Sequence, residues 1–110
     1  MIETFAALSD PNRLRIVSLL LEGPQPVGTI AERLRLNQPQ ASKHLMALKK
    51  AHLVEVEARA QQQLYQLDPA GLLAVHDWLE PYRRLWSARF AQMDEVIAQM
   101  VREEAHDRKD

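Results

Sequence analysis

The stretch VGTIAERLRLNQPQASKHL, residues 27–45, decides how this chain is read. Val27, Ile30, Ala31 and Leu34 recur at helical spacing; the pattern breaks at Arg35 to Asn37 and resumes with Ala41, Leu45 and Leu48. Two short helices joined by a tight turn, each with one face to bury, predict a helix-turn-helix over about residues 27–50. Between its buried positions the second helix leaves Gln38, Gln40, Ser42, Lys43 and His44. Such short polar and amide side chains pair with base edges and phosphates in a major groove.

Charge follows the same stretch. The chain sums to −1, but residues 33–50 hold Arg33, Arg35, Lys43, Lys49 and Lys50 and no acid, a local +5, whereas residues 1–32, 51–76 and 77–110 each sum to −2. A charge cluster is often just a solvated helix face; its coincidence with the helix-turn-helix pattern points to phosphate, with local and salt-sensitive affinity. Arg35 and Lys49 therefore join the candidate DNA contacts.

The scaffold reads outward from there as five helices and one hairpin. A first helix near Ile2 to Leu8 is apolar on Ile2, Phe5, Ala6 and Leu8 and too short to be stable undocked. Ser9 and Asp10 are N-cap candidates for a second helix with Pro11 just inside it, stopped by Gly23-Pro24. Pro26 opens the first reading-head helix, and Pro39 sits in the first turn of the second. The segment LVEVEARAQQQLYQL, residues 53–67, changes period from 3.6 to 2 and predicts a hairpin with Ala58 to Gln62 as its turn. A hairpin after a recognition helix is a wing. This one is weakly charged, with Arg59 the basic residue near its tip, and whether it touches DNA or closes the core stays open.

Asp68-Pro69 reads as an N-cap and first-turn pair, Gly71 as a small cost in helix propensity, and Pro81 as a kink or restart. Beyond it Tyr82, Leu85, Trp86, Phe90, Met93, Val96, Ile97, Met100 and Val101 recur every three or four residues, a stripe too long for so small a domain to cover alone. With Ile2 and Phe5 it predicts a homodimer built from N- and C-terminal helices, the latter over about residues 69–105. The polar segment REEAHDRKD, residues 102–110, is expected to fray.

Composition bounds the alternatives. At 110 residues the chain is expected to be a single domain. Without cysteine there is no disulfide, thiolate metal site or thiol catalysis. The start MIETFAALSD has no basic n-region or long apolar run, so the expectation is a cytoplasmic protein with no membrane partner. No serine sits in a nucleophile elbow and three glycines form no phosphate loop, so an enzyme is not expected.

The order of core helix, reading head and wing, with ALSDPNRLRI (residues 7–16) and NQPQASKHLMAL (residues 37–48) as its specific segments, resembles the ArsR-type winged-helix repressors. The resemblance implies base or phosphate contact by Gln38, Gln40, Ser42, Lys43 and His44, and dimerisation through the first and last helices. It also implies repression relieved by an effector. Metal-sensing members carry cysteines at the recognition helix or carboxylates and histidines along the last helix. Here cysteine is absent and His44, His52, His76 and His106 are scattered, so no metal and no cofactor are expected. Arg35 stands where that family often has Gly, which implies strain if the turn needs a positive φ.

The expectation is thus a mainly α winged helix-turn-helix protein acting as a homodimeric repressor, an autorepressor among the options, on double-stranded DNA carrying an inverted repeat. The DNA contacts are Gln38, Gln40, Ser42, Lys43, His44, Arg35, Lys49 and Arg59, and the dimer contacts Ile2, Phe5, Tyr82, Leu85, Trp86, Phe90, Met93 and Ile97. A small-molecule or protein effector stays open. The alternative is a winged-helix module that binds a protein or ligand through the Trp78, Tyr82, Trp86 and Phe90 face with little specific DNA binding.

Overall fold

A computed structural model of the protein describes residues 1–107. The chain divides into two compact units, the first running from Met1 to Asp77 and the second starting at Trp78. In chain order the elements are α1 (Ile2–Leu8), α2 (Pro11–Leu19), a single 3-10 turn (Leu20–Glu22), β1 (Gln25–Pro26), α3 (Val27–Leu34), α4 (Gln38–Lys50), β2 (Val54–Arg59), β3 (Gln62–Leu67) and α5 (Pro69–Asp107). This is the mainly helical, winged helix-turn-helix architecture the sequence predicts, with five α-helices among the described residues.

Several helix ends of the first unit have a local cause. Asp10 accepts from the backbone N–H groups of Asn12 (2.8 Å) and Arg13 (3.2 Å), with Pro11 at the first helical position, and so starts α2. The 3-10 turn stops at Gly23, whose φ of 122° a side chain would resist. α3 ends at Arg35 in the left-handed region (φ 58°), where the Leu36 N–H reaches back to the Ala31 carbonyl at 2.9 Å. α4 ends in the same way, with His52 at φ 59° and the Leu53 N–H on the Leu48 carbonyl at 3.0 Å. The backbone at Arg35 thus adopts the positive φ that makes glycine the easier residue. Arginine there costs about 1–2 kcal/mol of local strain. Arg15 holds that corner by donating from Nη2 to the Leu34 carbonyl at 2.9 Å.

The core gathers one face from each element. Ile16, Ile30, Leu45, Leu48, Leu53 and Val54 are fully buried, with Ala7, Leu19, Leu20 and Ala51 beside them and Val17, Val27, Leu34, Tyr65 and Leu67 packed at the edge. Burying a side chain of this size contributes about 1.5–3 kcal/mol, which works against the ordering cost of such short helices.

The hairpin departs from the sequence expectation in two ways. The strands pair from Val54↔Leu67 to Arg59↔Gln62, so the turn is only Ala60 and Gln61, shorter than the Ala58 to Gln62 expected. Ala60 takes φ 53°, the left-handed start that two-residue hairpin turns favour. A third strand, β1, adds to β3 through Gln25↔Tyr65 and Pro26↔Leu64, giving the antiparallel order β1-β3-β2. Two residues carry no readable period, and a proline is tolerated because β1 is at the edge.

α5 corrects two further expectations. It runs without interruption from Pro69 to Asp107, so Pro81 does not restart it. Pro81 has no N–H for the Asp77 carbonyl, but both residues are exposed and water can satisfy that oxygen. The helix is formed through Asp107; the rest of the segment expected to fray, residues 108–110, lies outside the described residues. At its start, Asp68 Oδ1 accepts from the Ala70 N–H at 2.9 Å. Gly71 is buried, donates its N–H to the His52 carbonyl at 2.9 Å, and leaves no room for a Cβ, which would meet that same oxygen at 2.6 Å. Gly71 is therefore required by a close approach to the α4–β2 turn rather than merely tolerated.

Gly71→Ala should destabilise the chain by about 1–3 kcal/mol in urea unfolding, because the clash with backbone outweighs the roughly 1 kcal/mol of helix propensity gained. A raised midpoint would show that the α4–β2 turn moves freely. A second expectation concerns acid. Burial pushes the Asp10 carboxyl upward, but the Arg13 and Asn12 N–H groups outweigh it, with attraction to His44 and Arg13 adding, so its pKa lies below the ordinary 3.8. A depressed folded-state pKa contributes stability above the ordinary value and loses it as pH falls through the folded one. Asp10→Asn keeps the cap without the charge; its stability should fall less steeply than wild type below about pH 5.

Candidate nucleic-acid interface

The arrangement of α4 follows from which side it buries. Ala41, Leu45 and Leu48 are fully buried, and at 100° per residue the opposite side carries Pro39, Lys43, Met46 and Lys50, with Ser42 and Lys49 on its flank, all exposed. Gln38 is exposed at the start of the helix. Among the described residues no carboxylate lies within ion-pair distance of Lys43, Lys49, Lys50 or Arg35. The helix therefore presents a cationic, largely polar face to solvent, with exposed Arg35 at the turn leading into it.

Two candidate contacts are occupied by local structure. Asn37 and Gln40 form a reciprocal cap: Asn37 Oδ1 accepts from the Gln40 N–H at 2.8 Å, and Gln40 Oε1 accepts from the Asn37 N–H at 3.2 Å. The Gln40 amide oxygen is thus committed, leaving its NH₂ to an outside partner. His44 is half-buried on the flank, close enough to Asp10 for its charge to help lower that carboxyl's pKa. Lys43, Met46 and Lys50 face straight outward, whereas Ser42 and Lys49 lie on one flank and Gln40 and His44 on the other.

The basic block is also less uniform than its formal charge. Arg33 donates from Nη1 to Glu22 Oε2 at 2.6 Å and from Nη2 to Glu22 Oε1 at 3.3 Å, a two-pronged pair with an acid from outside the block. That hydrogen bond holds the Glu22 carboxyl below its usual range and raises the Arg33 guanidinium, against the smaller opposing effect of burial on each. Arg33 therefore contributes little net positive field.

The wing offers little attraction to phosphate. Arg59 donates from Nε to Glu57 Oε1 at 3.3 Å, and Glu55 accepts from Gln66 Nε2 at 2.9 Å. Gln61, Gln62 and Gln63 are exposed. The sequence reading missed Met46 and Lys50, which share the outward face of α4. The helical spacing of residues 39, 43, 46 and 50 carries that signal.

The candidate dimer contacts are all on the surface. On α1, Ile2 is 82% exposed and Phe5 is also exposed. In the second unit Tyr82, Leu85, Trp86, Phe90, Met93 and Ile97 are exposed, and Tyr82 is flanked by Trp78 and Trp86 with ring centroids 5.0 and 5.9 Å away. Among the described residues no group of three or more His, Asp or Glu side chains comes together as a metal site, and no helix is long and apolar enough to cross a membrane.

Residues 10–56 match the family described as bacterial regulatory protein, arsR family. Over 91 residues the chain is 37% identical to the HTH-type transcriptional regulator Rv2034 of Mycobacterium tuberculosis, covering 83% of this chain and 82% of the relative. It is 34% identical to the transcriptional repressor SdpR of Bacillus subtilis (72% and 88% covered) and 33% identical to the transcriptional activator HlyU of Vibrio cholerae (66% and 68%). Among solved structures it is similar to an ArsR-like transcriptional regulator from Rhodococcus sp. RHA1, with TM-score 0.69, 30% identity and 86% and 90% of the two chains covered. It is also similar to the homodimeric winged helix-turn-helix DNA-binding domain of Mb0332 from Mycobacterium bovis, with TM-score 0.62, 28% identity and coverage of 76% and 77%.

The cap at the start of α4 sets the geometry of the outward face. Asn37→Ala should lower stability by about 1 kcal/mol and Asn37→Asp should not, measured as unfolding midpoints in urea. Equal midpoints for all three chains would mean that the cap does not hold the helix start.

Proposed function

The chain belongs to the ArsR family of bacterial regulatory proteins and is a DNA-binding transcriptional regulator, and from that premise we propose that it is a homodimeric repressor binding an inverted-repeat operator. In this proposal α4 of each subunit enters the major groove of one half-site. The observation that carries it is the outward face of α4, where Ser42, Lys43, Lys49 and Lys50 stand exposed with no carboxylate in ion-pair range among the described residues.

Lys43, Lys49, Lys50 and Arg35 take phosphates, while Gln38 and Ser42 reach base edges. Gln40 takes part through its NH₂, and His44 and Arg59 act at the margin. Dimerisation through Ile2, Phe5, Tyr82, Leu85, Trp86, Phe90, Met93 and Ile97 covers a surface that would otherwise stay wet. The homodimeric state of the M. bovis neighbour supports it. Dimerisation also accounts for the Trp78, Tyr82, Trp86 and Phe90 face more simply than a separate protein-binding role does. Two-fold protein symmetry sets half-site centres about one helical turn apart. The repressing sense rests on the B. subtilis relative; the V. cholerae relative is an activator.

The test is selection from a random duplex DNA pool by the purified chain at near-physiological salt, with its mass in solution measured alongside. Enrichment of an inverted repeat by a species of twice the chain mass is expected. A monomer with sequence-blind binding would overturn the proposal. On the selected duplex, Lys43→Ala and Lys50→Ala, each removing one phosphate contact per subunit, should flatten the slope of log affinity against log salt by about 2 for the dimer, whereas Arg33→Ala, already neutralised by Glu22, should leave it unchanged. A flattened slope for Arg33→Ala alone would place the phosphate contact on α3 instead.

A further inference from the structure

We propose that Met46 is a specificity-determining residue, packing its side chain against the 5-methyl group of a thymine in each half-site. The inference rests on the placement of α4 in the major groove. Met46 is 73% exposed although the helix already buries Leu45 and Leu48 completely, so the core does not use it. Its neighbours on the outward face are Ser42 and Lys43 one turn before and Lys49 and Lys50 one turn after, which makes it the apolar centre of a cationic surface.

The chemistry of the groove selects the partner. Base edges in the major groove present hydrogen-bond donors and acceptors at every position, and their one apolar feature is the thymine methyl. A thioether offers those donors and acceptors little, but it is polarizable and unbranched, and it adapts its rotamer to a small apolar target. The surrounding lysines suit phosphates and carry no sequence information by that contact. With the Gln40 oxygen held in the cap and His44 half-buried, discrimination on this helix falls mainly to Gln38, Ser42 and Met46, with the Gln40 NH₂ beside them. Ser42 and Met46 are four residues apart on one face, an axial rise of about 6 Å, so they address base pairs about two steps apart.

The experiment uses the full chain and a random duplex pool. Wild type, Met46→Ala, Met46→Gln and Met46→Leu each select their sequences, and the wild-type winner is resynthesised with deoxyuridine for thymidine at single positions. Uracil removes only the methyl. The expected result is one position per half-site where uracil weakens wild type and Met46→Leu about fourfold, the effect of one methyl returned to water. Met46→Ala and Met46→Gln should bind the two duplexes alike and select no fixed thymine there. If wild type selects a motif but no uracil position separates it from Met46→Ala, the Met46 assignment is overturned while the operator-binding proposal stands. If wild type enriches no motif at all, the operator-binding proposal fails and this inference fails with it.

Discussion

The burial of one stripe of α4 is the constraint on which the rest depends. Ala41, Leu45 and Leu48 are driven into the core by the removal of their surface from water, and that choice alone turns Ser42, Lys43, Met46, Lys49 and Lys50 outward. A helix rotated by 100° would bury Lys49 in one sense and Gln40 and His44 in the other, each at a cost in desolvation. The functional face is thus set by hydrophobic burial on the other side of the same helix.

The ends of α4 are held as firmly as its face. The Asn37–Gln40 cap satisfies backbone groups at its start, and the left-handed turn at His52 returns the chain into β2. That turn also receives the first residues of α5, where the His52 carbonyl and Gly71 approach too closely for any side chain. Within the first unit, the helix that presents the cationic face, the wing and the beginning of the last helix therefore meet at one backbone corner. Charge follows the same division: Arg33 and Arg59 are paired with Glu22 and Glu57, whereas the lysines of α4 and Arg35 have no acid in ion-pair range among the described residues.

Much of this was legible in the sequence because it depends on local rules. The helix-turn-helix could be read from its apolar spacing, the start of α2 from Asp10-Pro11, and the strain at Arg35 from its place in a turn that resembles one usually made by glycine. What could not be read depends on contacts distant in sequence. The Gly71 approach to His52, the pairing of Gln25 and Pro26 with β3, and the neutralisation of Arg33 by Glu22 leave no period behind. That α5 continues through Pro81 without restarting could not be read either, since proline's lost N–H stops a helix less firmly where the freed carbonyl is exposed to water. In the candidate interface the residue types could be read and their geometry could not: that the Gln40 oxygen is held in the cap and that His44 is half-buried leave no mark on the sequence of α4.

Because the chain has no cysteine, Ala47→Cys provides a single attachment point on the flank of α4, outside the proposed base and phosphate contacts. An iron chelate tethered there should cleave a selected duplex at two clusters about one helical turn apart, placed symmetrically about the centre of the inverted repeat. Such a pattern would locate two copies of α4 in adjacent major grooves. Cleavage spread evenly along the duplex, or concentrated only when the chelate is moved to the wing through Arg59→Cys, would contradict the assignment of α4 as the DNA-reading element.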